Sequence, residues 1–158
     1  MTVNRAIETI RIAGVALGFV LASTSSAGPL WRFHVLQLWV TLSIAGLTGI
    51  ESLLFGVEAA RLSGYGDPGG YQRQSGLNTL AIAVVCIWVW VVGWGFYAEL
   101  SVFLVLLVFL TMSAINHVYS AWIAGNRRFN SYMRPIMLLA LAIGCAPFIG
   151  AALSRTSP

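Results

Sequence analysis

Residues 99–120 read ELSVFLVLLVFLTMSAINHVYS, and the two halves of this stretch decide the fold between them. Leu100 to Leu110 is almost wholly apolar, a composition suited to a helix that meets lipid over much of its surface. Beyond Thr111 the stretch turns polar, and Ser113, Asn116, His117 and Ser120 recur at the three- and four-residue spacing of one helical face. In hydrocarbon such a face has to point into a bundle, because unpaired polar groups there are costly. The reading is therefore a transmembrane helix whose inner half carries a polar site, and other helices must supply its partners.

The whole chain agrees. It has 158 residues, of which 58% are hydrophobic and 9% charged, outside the mixture that a soluble domain of this size uses. Its mean hydropathy is +0.83. At about 20 residues per crossing, the length holds four or five spans with short connections and no separate soluble domain. The expected fold is all-α, a single transmembrane helical domain over residues 1–158 with five helices at about 12–29, 33–62, 74–94, 98–124 and 134–153. It becomes four helices if the N-terminal segment is a cleaved signal; an uncleaved anchor is the preferred alternative.

The nine basic residues are all arginine, and a net charge of +4 is too sparse for nucleic-acid recognition. Read as topology signals, Arg5, Arg11, Arg61, Arg73, Arg127, Arg128 and Arg134 share one side, while Arg32 and Arg155 fall on the other. The positive-inside rule makes the first set cytoplasmic, with the N-terminus in and the C-terminus out, in a bacterial inner membrane. Cys86 and Cys145 lie within apolar segments and read as small apolar side chains, not as a disulfide. The tryptophans and tyrosines toward the end of the third helix read as an interfacial belt.

On helix two, Thr41, Ile44, Thr48, Glu51, Phe55 and Glu58 form a stripe, and Ala45 with Gly49 and Ser52 with Gly56 give small-xxx-small pairs for close packing. Glu51 precedes Arg61 by the same interval by which His117 precedes Arg127, so the two lie at matching depth, about 15 Å from the arginine side. The expected site is a cavity open to the cytoplasm. Glu51 and His117 form its floor as a proton-transfer pair, Asn78, Asn116 and Glu58 its walls, and Tyr71 and Gln74 its mouth. The spacing of the histidines and the lack of metal-binding motifs point to no metal and no cofactor. The glycines of residues 63–74 do not form a phosphate loop.

Three stretches carry a resemblance: Gly49-Ile50-Glu51, the loop and helix start from Tyr65 to Ala81, and Ala114-Ile115-Asn116-His117-Val118-Tyr119 with Asn126 beyond it. Over about residues 49–143 they resemble an uncharacterised family of small bacterial and archaeal integral membrane proteins, a domain of unknown function. That family usually carries an acidic residue near the position of Gln74. The resemblance implies a helical membrane fold and singles out Glu51 and His117, but implies no activity; Tyr119, in the same stretch as His117, is a further candidate ligand-binding residue.

Two functions are expected in competition. One is binding, and acid–base conversion, of a small lipophilic molecule. The other is an accessory subunit of a larger membrane complex, with Glu51 and His117 as interhelical contacts. The expected partners are the lipid bilayer, a lipophilic small molecule, and other membrane subunits or further copies of the chain.

Overall fold

The computed structural model describes residues 3–63, 69–123, 125 and 129–156. Among these the chain is helical with no strand: α1 (Val3–Thr24), α2 (Pro29–Thr41), a π-helical turn (Leu42–Gly46), α3 (Leu47–Ser63), α4 (Gly69–Val92), α5 (Phe96–Trp122) and α6 (Phe129–Leu153). Among the described residues five stretches are long and apolar enough to cross a membrane: Arg5–Thr24, Pro29–Leu54, Gln72–Val92, Phe96–Trp122 and Tyr132–Leu153.

The helix boundaries follow local chemistry. α1 includes the charged start of the chain, because Arg11 pairs with Glu8 one turn away and with Glu51 of α3, so its polar turns are satisfied while helical. Ser25 to Gly28 then turns the chain, with Arg32 Nε donating to the Ser25 and Ala27 carbonyls at 3.0 and 3.2 Å. Pro29 opens α2, where its missing N–H costs nothing. Between α4 and α5 the reversal needs Gly93 and Gly95, whose φ angles of 70° and 86° are left-handed. α6 starts before Arg134, so Pro135 and Pro147 both lie inside it.

The second span is not one uninterrupted α-helix. In the π turn the Leu47 N–H reaches the Leu42 carbonyl, five residues back, and at Phe55 (φ −128°, ψ 22°) the helical path breaks again inside α3. α2 is the central element, packed on α1, α4, α5 and α6. Its Phe33, Leu36 and Val40 are fully buried with Phe103 of α5 and Cys145 of α6. Phe33 meets Phe96 and Phe103 edge-on, with centroids 5.2 and 5.9 Å apart. A second cluster, Ala45, Ala83 and Leu106, fills the middle of the bundle.

Close approach of backbones holds the outer pairs together. A Cβ added to Gly49 of α3 would lie 2.9 Å from the Leu80 backbone nitrogen and 3.0 Å from the Gly76 carbonyl oxygen on α4. On α1, Gly14 faces Ser43 of the π turn, and a Cβ at Gly18 would lie 2.6 Å from Trp39 Cβ. Small residues let these helix backbones approach closely. Cys86 and Cys145 are buried and unbridged.

Candidate functional site

Among the described residues the bundle has two polar sites, one toward each end. At the arginine-rich end a cavity of about 320 Å³ lies between α1, the π turn and start of α3, α5 and α6. Most of its wall is aliphatic, from residues such as Ile12, Val15, Ile44, Leu110 and Leu141; its polar margin consists of Glu8, Arg11, Thr48, Ser113 and Arg134. Such a composition, largely apolar with a few convergent polar groups, is that of small-molecule sites in general.

Arginines organise the polar margin. The Arg11 guanidinium, with its side chain 12% exposed, pairs with Glu8 and donates through Nη2 to Glu51 Oε2 at 2.6 Å. Its Nε is buried and has no acceptor among the described residues. Across the cavity, Arg134 Nη1 donates to His117 Nε2 at 3.2 Å. Arginine donates and never accepts, so Nε2 carries the lone pair of a neutral imidazole whose proton sits on Nδ1. His117 itself is only 2% exposed.

Glu51 and His117 are thus each engaged by an arginine from another helix. Among the described residues, no hydrogen bond or ion pair joins the two to each other. His117 and Ser120 are buried, Ser113 is half-buried on the cavity wall, and Asn116 lies on the bundle surface. Asn78, Gln74 and Tyr119 are also surface residues, and none of these three lines the cavity. Glu58 and Tyr71 fall outside the residues whose side chains are described.

A second site sits at the opposite, tryptophan-rich end. His34 of α2 meets Glu99 of α5, with Nδ1 2.5 Å from Oε1 and Glu99 only 4% exposed. The imidazole is stacked between Trp31 (4.9 Å, 27°) and Trp90 (5.6 Å, 22°). Below it on the same face of α2, Gln37 Oε1 accepts from Cys86 Sγ at 3.3 Å, and Thr41 is fully buried. Gln37 Nε2 has no partner among the described residues, and the Thr41 side chain lies within hydrogen-bonding reach of the Cys86 thiol.

Sequence reasoning missed this second site, although the signal was present. His34, Gln37 and Thr41 share one helical face, and Glu99 falls at the matching depth on the next helix pair. Each residue also has an adequate local explanation, His34 near the start of α2 and Glu99 in the first turn of α5, where a carboxylate favours the positive end of the helix dipole. Sequence reasoning also took Arg11 and Arg134 only as topology signals, whereas both reach into the bundle as partners of the site. Comparison with protein-family models, with curated proteins and with solved structures finds no match to this chain.

Proposed function

We propose that the protein is a multi-pass protein of a bacterial cytoplasmic membrane whose arginine-rich end holds a binding site for a small lipophilic molecule. The observation that carries this reading is the cavity itself, with aliphatic walls along its length and two guanidinium groups at one margin. The positive-inside rule supports a cytoplasmic cavity with the N-terminus inside and the C-terminus outside, because seven of the nine arginines fall, by sequence, in the segments on the Arg11 and Arg134 side of the five spans. The resemblance of residues 49–143 to a membrane family of unknown function belongs to the same proposal and adds no activity to it.

Within this reading Glu51 and His117 are positioning residues. Each holds an arginine of the cavity margin by a bond from a neighbouring helix. Binding is favoured over acid–base conversion because His117 Nε2 and Glu51 Oε2 are already taken by Arg134 and Arg11. A proton-transfer role would need those contacts to open first.

The test is the thermal stability of the purified chain with and without a total lipid extract from the source cells, followed by mass spectrometry of what remains bound. Stabilisation by the extract and a retained lipophile are expected, since a ligand that binds only the folded state raises its stability. A chain that retains no lipophile and gains nothing from the extract would overturn the proposal.

A further inference from the structure

We propose that the seam between α1 and α6 at the tryptophan-rich end seats an anionic phospholipid, its phosphate held by Arg32. The site is separate from the cavity at the arginine-rich end and rests only on the reading of the chain as a membrane protein.

The seam supplies the shape. α1 and α6 both pack on α2, and midway along the gap between them Phe19 closes it. That ring lies edge-on to Phe148, with centroids 6.0 Å apart, and against Gly144, where an added Cβ would sit 3.0 Å from it. One turn further along α1 a cavity of about 330 Å³ opens, lined by Ser23, by Pro29 and Arg32 of α2, and by Pro147, Phe148 and Ala151 of α6.

Depth sorts this lining into a polar rim and an apolar floor. Ser23, Pro29, Arg32 and Ala151 each lie within three residues of a span end, at Thr24, Pro29 or Leu153, which is about 5 Å along a helix. That is the level of lipid head groups. Pro147 and Phe148 are about 8 Å inward of Leu153 and carry no polar side-chain atom. Aliphatic surface continues from there, with Ile143, one turn below Pro147, 73% exposed and Val20, one turn below Thr24, 56% exposed. A free anion would meet the rim alone, whereas a phospholipid meets both parts.

Charge selects the head. Arg32 donates through Nε to two backbone carbonyls, and its Nη groups have no hydrogen-bond or ion-pair partner among the described residues. The carboxylates whose side chains are described are engaged elsewhere, Glu8 and Glu51 with Arg11 and Glu99 with His34. Arg155, four residues after Ala151, is exposed and also has no ion pair among the described residues. α2 opens at the cavity with no side-chain cap, and the positive end of its dipole adds to the same potential. Two free Nη groups are the paired donors that a phosphate accepts. A head group of net negative charge fits this rim better than a zwitterionic one, whose own cation would sit among positive groups.

The experiment places the full chain in phosphatidylcholine nanodiscs containing a photoactivatable phosphatidylglycerol or, in a parallel set, a photoactivatable phosphatidylcholine, and maps the labelled peptides by mass spectrometry. Phosphatidylglycerol should label the segments 20–32 and 143–155 about tenfold more strongly than phosphatidylcholine, from one charge-assisted contact. Inorganic phosphate should not compete. Arg32→Gln should bring phosphatidylglycerol down to the phosphatidylcholine level in these segments. Ala151→Phe, which fills the cavity and leaves every arginine in place, should lower labelling by both probes there, even if the Arg32 variant fails to fold. Equal labelling by the two lipids would overturn the anionic head, and competition by phosphate would overturn the lipid. Labelling that Ala151→Phe leaves unchanged would overturn the site. A chain that does not enter the nanodiscs would overturn the membrane reading and this proposal together, whereas loss of this site alone leaves the cavity at the arginine-rich end standing.

Discussion

The ion pair between Arg11 and Glu51 gives the sharpest test of how the cavity margin is built. Replacing Glu51 by Gln removes one of two carboxylates around a guanidinium whose side chain is 12% exposed, the Glu51 side chain itself being 14% exposed. With the charge centres about 4 Å apart, an effective dielectric of 20 makes their attraction about 4 kcal/mol. Part of that comes back, because Glu8 keeps its bond to Arg11 and no longer shares it with a second anion. The expected cost is about 2–3 kcal/mol, somewhat below the range for stripping a buried charge of its only partner. Arg11→Met leaves Glu51 without its cation and should cost a similar amount. The double variant should then be more stable than the sum of the two losses implies, by about 2 kcal/mol. Reversible unfolding in mixed micelles, followed by helical circular dichroism, measures all four corners of the cycle. If the two losses add to within about 0.5 kcal/mol, the residues are not coupled and the arrangement described for the margin is wrong.

At the crossing of α3 and α4, Gly49→Ala should cost about 1–3 kcal/mol in the same assay, because its Cβ meets backbone atoms of α4 at 2.9 and 3.0 Å. Gly46→Ala is the control: its Cβ lies 3.7 Å from that of Ala83, an ordinary contact, and the change should be neutral or gain about 0.5–1 kcal/mol. At the tryptophan-rich end, His34→Phe should destabilise by about 3–5 kcal/mol by leaving the Glu99 carboxylate buried without a partner, and Glu99→Gln by less, about 1.5–3 kcal/mol. Equal losses in these two variants would count against the pairing. For orientation, Ser26→Cys should react with an impermeant maleimide added to intact cells and Gln74→Cys only after permeabilisation, both positions being exposed; the reverse pattern would invert the proposed topology.

The spans were legible because each is a long apolar run, and composition alone suffices for that. The pairing of the polar residues was harder to read. Depth arithmetic placed Glu51 and His117 at one level, yet level says nothing about which way each side chain points around its helix. It also fixed the arginines at their backbone depth, whereas an arginine spans several ångströms and carries its charge along the helix. That is how Arg11 and Arg134 became the partners of Glu51 and His117. The close helix crossing was partly visible: Gly49 and Ser52 lie on the faces read as small-residue pairs, while their counterpart Gly76 on α4 stood in no repeat that would have marked it. Nothing in Leu42 to Gly46 marks a π turn, because its one extra residue is ordinary in type and shows only in which carbonyl each N–H meets.

That extra residue decides how one helix faces two neighbours. At about 100° per residue, an unbroken α-helix would set Glu51 about 80° around from Thr41, ten residues earlier. The wider turn takes up about one residue's worth of rotation, which brings the difference to about 180°. His34, Gln37 and Thr41 accordingly look toward the α4 and α5 side, where Cys86 and Glu99 wait, and Glu51 looks the opposite way, to Arg11 on α1. The span is a two-sided ruler with its graduations offset at Leu42–Gly46. Any alignment or redesign that counts turns straight through that point would aim the carboxylate of Glu51 away from its arginine.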